Sequence, residues 1–174
     1  MNFTKLCVVL ALGCAAAAAT AQTANMAVSA SIAGSCSVIA NPLAFSVYDP
    51  LSPTALNAQS SVVITCSTGA GASLAMGIGA NSTGTGVSAQ RRMRIGATAN
   101  YVNYSVFQPS ASTESAACAF TTPWGNGTTG GAVLAIGIAA SPTPRTYNVC
   151  GQIPAGQSSA IGTYADTVVV TANL

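Results

Sequence analysis

The residues able to do chemistry are few. The 174-residue sequence holds six cysteines, three carboxylates (Asp49, Glu114, Asp166) and no histidine. Without histidine, serine and cysteine triads and imidazole acid–base work are excluded. A carboxylate pair could cleave a glycoside if its members stood about 5–9.5 Å apart. Asp49, however, sits beside Pro50, where aspartate commonly bonds its own turn. Asp166 lies in "YADT", just as the last apolar segment begins. Neither placement asks for catalysis, and the expectation is a chain with no catalytic residue.

The cysteines carry a different chemistry. Cys7 and Cys14 fall within an N-terminal leader, which leaves Cys36, Cys66, Cys118 and Cys150. There is no CxxC spacing, so a metal centre is not expected. An even number in an exported chain implies two disulfides, and four cysteines allow three connectivities. Closeness in sequence pairs Cys36 with Cys66 and Cys118 with Cys150. Each bond would close a loop of about 30 residues, worth roughly 3–4 kcal/mol in the chain-entropy view.

The leader itself is "MNFTKLCVVLALGCAAAAATA", residues 1–21. It has one early cation at Lys5, an apolar run from Leu6, and a small-residue step at Ala19-Thr20-Ala21. That pattern is a secretory signal peptide. A rival cut is offered by "ALGC", which would leave Cys14 lipidated. Removing 21 of the 174 residues leaves 153, enough for one domain with a core. The remaining four arginines (91, 92, 94, 145) face three carboxylates, a net charge of +1. So little charge excludes a nucleic-acid partner, which needs a basic footprint. It also favours association over free solubility, as in a subunit of an assembly.

These residues must be positioned by strands, since no helix-period run follows the leader. Short alternating segments stand between Gly, Pro, Ser and Asn clusters: 35–40, 43–48, 60–66, 73–79, 101–107, 132–138 and 146–153. In "SSVVITC" Val62, Ile64 and Cys66 share a face; in "SLAMGIG" Leu74, Met76 and Ile78 do. Many short strands at this spacing imply an antiparallel β-sandwich. "SAQRRMRIGATAN" reads as a loop or a short edge strand.

Two segments stand apart. "GTYADTVVVTANL" places Val168, Val170, Ala172 and Leu174 on one face, and an apolar edge of this kind asks for a partner. "ANMAVSASIAG" (24–34), before the first retained cysteine, alternates as cleanly, with Met26, Val28, Ala30 and Ile32 on one face. From the residues alone it is either the first strand of the same sandwich or a strand that leaves to complete a neighbour.

An ordered set of pieces resembles the spore coat protein U domain family, which includes the major subunits of archaic chaperone–usher pili. They are Cys36, "FSVYDP" (45–50), "VVITCSTG" (62–69), "RRM" (91–93), "YVNYSVF" with Tyr104, "PWG" (123–125), "GQIPAGQ" (151–157) and "GTYADTVVVT" (162–171). The second cysteine pair is not a feature of every member. The resemblance implies an incomplete immunoglobulin-like antiparallel sandwich (35–174) that lacks its last strand. It implies that residues 22–34 are a donor-strand extension anchored by Met26, Val28, Ala30 and Ile32. Val168, Val170, Ala172 and Leu174 would then line the acceptor groove. The implied partners are copies of the chain or other pilus subunits, a periplasmic chaperone and an outer-membrane usher. The implied setting is a fimbria reached through the periplasm, serving adhesion and biofilm formation, with no cofactor. A self-contained secreted coat protein or carbohydrate-binding sandwich is the alternative.

The other conspicuous residues have bland expectations. Arg91, Arg92 and Arg94 read as a solvated loop that keeps a near-neutral chain soluble. Trp124, between Pro123 and Gly125, reads as a lid on one end of the sandwich. Tyr104 and Tyr164 read as core or corner residues.

Overall fold

The structure, a computed structural model, describes residues 21–174. The expected leader, with Cys14, lies outside them except for Ala21. The chain divides into two units, Met1–Ile32 and Ala33–Leu174. In the first, residues 21–32 form no strand, and Met26, Val28 and Ile32 are 85, 84 and 94% exposed.

The second unit is built from nine strands: β1 (Cys36–Ala40), β2 (Leu56–Cys66), β3 (Ala72–Met76), β4 (Arg91–Arg94), β5 (Tyr101–Pro109), β6 (Cys118–Pro123), β7 (Leu134–Ile136), β8 (Arg145–Ile153) and β9 (Val170–Asn173). One sheet has the order β1-β2-β8-β5-β4, with β6 also on β5; the other has the order β7-β3-β9. Every strand pair is antiparallel. Period-two alternation explains the layering, because successive side chains point to opposite faces. Val62, Ile64 and Cys66 of β2 point inward, as do Val102, Tyr104 and Val106 of β5 and Tyr147 and Val149 of β8. Leu74 and Met76 of β3 meet them from the other sheet in one apolar core.

Trp124 belongs to that core and is fully buried, not a lid. Its backbone N–H donates to Val106 O (2.8 Å) while its indole Nε1–H donates to Leu74 O (2.9 Å). One residue thus joins both sheets. Gly125 follows it because a Cβ there would run into the backbone of residues 129–131. The disulfides are Cys36–Cys66, which pins β1 to β2, and Cys118–Cys150, which ties β6 to β8.

Two expectations change, and one open alternative is decided. Residues 43–48 alternate but form no strand. Pro42 interrupts the chain after β1, and the segment instead lays Leu43 and Phe45 over the backbone of Gly151, where any Cβ would collide with both. The alternation is real, but it reports packing rather than pairing. The arginine-rich stretch, read as a loop or a short edge strand, takes the second form: β4 ends the larger sheet, paired with β5 from Arg91–Tyr104 to Arg94–Tyr101. The last strand is shorter than its apolar run. Ala165 first exchanges two backbone bonds with Arg94 (2.9 and 3.0 Å), and only from Val170 does the chain pair with β3. Residues 165–170 therefore cross from one sheet to the other.

Replacing Trp124 with Phe keeps most of the buried ring but removes the donor to Leu74 O. The expected loss is about 1–3 kcal/mol, the cost of a buried carbonyl left without its partner. The midpoint of urea unfolding should fall with little change in slope.

Candidate functional site

β1 pairs only with β2, and β9 only with β3. Each therefore keeps one unpaired edge among the described residues. Between Ala40–Phe45 on one side and Tyr164–Val170 on the other lies an apolar groove of about 460 Å³. Its floor is made of core residues, Val62, Met76, Val106 and Val149, all no more than 5% exposed. Protein interiors leave few voids larger than a water molecule. A groove of this size reaching core side chains is a place where packing stops short.

The walls are held by a polar cluster that composition gave no reason to expect. Asp166 lines the groove and accepts four hydrogen bonds. Three reach Oδ1, from Ala80 N–H (2.9 Å), Asn81 N–H (3.3 Å) and Asn81 Nδ2 (3.1 Å), and one reaches Oδ2, from the Tyr104 hydroxyl (2.7 Å). Charge-assisted bonds of this kind are among the stronger ones. Gly79 has φ +84°, and a Cβ there would strike the Asp166 carboxylate. Glycine is needed for both reasons.

Arg91 corrects the view of a solvated arginine loop: it is 3% exposed. Its Nε donates to Gly77 O (2.9 Å), and its Nη2 to Gly77 O (2.6 Å), Trp124 O (2.7 Å) and Met76 O (3.2 Å). A strand of the larger sheet thus grips the end of β3 in the smaller one. Burial pulls the Arg91 pKa below its ordinary value, and the nearby Tyr104 and Asp166 oppose that shift. Arg92 lies 4.1 Å above the Tyr101 ring and donates to Asn81 O. Among the described residues, no three His, Cys, Asp or Glu side chains gather as metal ligands.

The residues expected to form the acceptor wall separate into two sets. Val168 and Val170 line the groove. Ala172 packs, half-buried, against the core beyond it. Leu174 is 67% exposed and lies off the groove, because the ladder with β3 ends at the Ser73–Asn173 pair and nothing holds the next residue inward. Leu43, Phe45 and Met93 also line the groove without having been expected there, as does Tyr164, which the sequence placed in the core or at a corner. The alternation of 43–48 and the tyrosine of "YADT" were the signals available for three of these four. Phe45 meets Tyr104 edge-on, with centroids 6.2 Å apart.

Burial, and then the hydrogen bond to Asp166, push the Tyr104 pKa far above the ordinary tyrosine value; burial raises Tyr147 too. A raised acid pKa means that the folded state favours the protonated hydroxyl. That contribution is complete below the unfolded value, about pH 10, and is lost as the pH rises beyond it. Unfolding followed from pH 8 to 11 should show stability falling above about pH 10. Tyr104→Phe should flatten the fall and leave the Tyr147 share.

The family model for the Spore Coat Protein U domain matches residues 22–171. No curated protein matches the chain. Among solved structures, it is similar to a chain in the crystal structure of the CsuC–CsuE chaperone–tip adhesion subunit pre-assembly complex, from archaic chaperone–usher Csu pili of Acinetobacter baumannii. The two are 19% identical with a TM-score of 0.52, and the match covers 82% of this chain and 40% of that one. That likeness shows the fold, an immunoglobulin-like sandwich. With most of its length matched, the chain belongs to the Spore Coat Protein U domain family.

Proposed function

We propose that this chain is a structural subunit of a chaperone–usher type surface pilus, and that its groove receives residues 22–34 of a second copy. The observation that carries this reading is the apolar groove between residues 40–45 and 164–170, where β1 ends and β9 begins, in a chain whose own residues 26–32 present an exposed alternating apolar row. A strand laid in the groove gains backbone bonds from the edges, and its alternate side chains fill the floor. Burying Met26, Val28 and Ile32 is worth roughly 1.5–3 kcal/mol each, and Ala30 suits the tightest point.

Strand direction supports a fibre. Cys36 of β1 lies opposite Cys66, close in sequence to Ser73, which pairs with Asn173; Ala40 lies opposite Val62, and Val170 opposite Met76. β1 and β9 therefore run in opposite senses along the groove. A guest strand antiparallel to β9, the more stable pairing, runs in the same sense as β1. The guest's body then lies toward the Phe45 end, whereas this chain's extension departs at the Cys36 end. Head-to-tail contacts that do not close build filaments. Before assembly a periplasmic chaperone would occupy the groove, and an outer-membrane usher would be the place of exchange. Attachment and biofilm formation are the work such a fibre does.

Cell-surface material run unheated on an SDS gel should give a ladder that collapses on boiling, because release requires the acceptor to lose a core strand. Deleting residues 23–33, or pairing Val28→Asp with Ile32→Asp, should abolish the ladder. A single monomer band from the unaltered chain would overturn the fibre in favour of a self-contained coat or sugar-binding module.

A further inference from the structure

A second cavity, of about 450 Å³, lies away from the groove, between the loops before and after β6–β7 and the start of β8. Its chemistry is unlike that of the groove. Arg145 lines it, and Arg145 Nη1 donates to Gly137 O on the cavity wall (2.6 Å). The Nε and Nη2 atoms of the same guanidinium are buried with no hydrogen-bond partner among the described residues. Charged donors left this way are costly, so an oxygen acceptor is wanted here. The same cavity is lined by Glu114 and by Ser141 and Thr143, whose hydroxyls bond each other at 3.0 Å. Ile138, 72% exposed, offers an apolar surface on the same cavity.

The walls are fixed in advance. Ser115 N–H donates to Thr146 O (2.9 Å) and Asn148 Nδ2 to Ala116 O (2.9 Å), which holds the first loop on β8. Gly69 N–H donates to Ala139 O (2.8 Å) and Ala139 N–H to Ala70 O (2.9 Å), which holds the second. A ligand therefore need not order the loops, and preorganisation of this kind saves binding free energy.

We infer that this cavity is a binding site for a neutral pyranose sugar. The guanidinium, after a small turn toward the cavity, donates to adjacent sugar oxygens, its planar fork matching two acceptors at once. Glu114 accepts from a sugar hydroxyl, and Ile138 meets the C–H face of the ring. One cation and one carboxylate balance, which favours an uncharged ligand; an acidic sugar would meet the Glu114 carboxylate. The inference does not depend on the fibre, since it concerns neither the groove nor residues 22–34.

The test is saturation-transfer NMR on the mature full chain with methyl glycosides of mannose, galactose and glucose, and with glucuronate. At least one neutral glycoside should bind saturably, more tightly than glucuronate. Arg145→Gln and Glu114→Gln should each weaken it about tenfold or more. Where Arg145→Gln lowers the folded fraction, Thr143→Val at the exposed rim decides the matter, with weakened binding expected. Failure of all three neutral glycosides, tighter binding of glucuronate, or binding indifferent to the substitutions would overturn the assignment.

Discussion

A backbone amide that leaves water without entering a ladder costs about as much as a lost hydrogen bond. β1 and β9 each keep one edge without a strand partner among the described residues, and an apolar groove opens where β1 ends at Ala40 and β9 begins at Val170. The rest of the architecture can be understood from that constraint. Among the described residues no strand pairs with the remaining edges of β1 and β9. Proteins normally blunt an apolar edge with charge, proline or a bulge. None of the three carboxylates or four arginines stands in β1 or β9. The edge is kept competent to pair.

An open groove would collapse unless its walls were held, and here polar chemistry does the holding. Asp166 joins the 78–82 loop to Tyr104, and Arg91 joins β4 to the end of β3 and to Trp124. Buried charge is expensive, and replacing such a network with apolar residues often stabilises a fold. What an apolar replacement would lack is direction. The Arg91 fork and the four bonds to Asp166 fix where residues 164–170 lie, so the groove keeps its width. Removing either charge while leaving its partners buried is the change the fold would tolerate least.

Much of the fold was legible because alternation is a direct consequence of the pleat. Residues 60–66, 101–107 and 146–153 read as strands and are strands. The same rule misled at 43–48, where a chain pressed onto Gly151 alternates without pairing. It could not find β6, whose "CAFTTP" has few apolar residues, or the burial of Arg91, which depends on carbonyls from distant segments meeting at one point. Trp124 was legible as structural but not as the link between the sheets. Val168, Val170, Ala172 and Leu174 alternate alike in the sequence, yet only the first two line the groove, since a pattern cannot show where its ladder ends. Tertiary placement, rather than local preference, decided each of these.

The bond between Cys36 and Cys66 has a mechanical meaning. In the proposed fibre, tension from a neighbour would arrive through residues 22–34 and enter the domain at Cys36. β1 has only five residues, and its ladder to β2 would be the first element peeled away. The covalent link instead carries the load past that ladder into β2, an eleven-residue strand gripped along most of its length by β8. A pull on the extension is therefore borne by the middle of the larger sheet, and the groove wall that continues from β1, residues 40–45, is spared while the fibre is stretched.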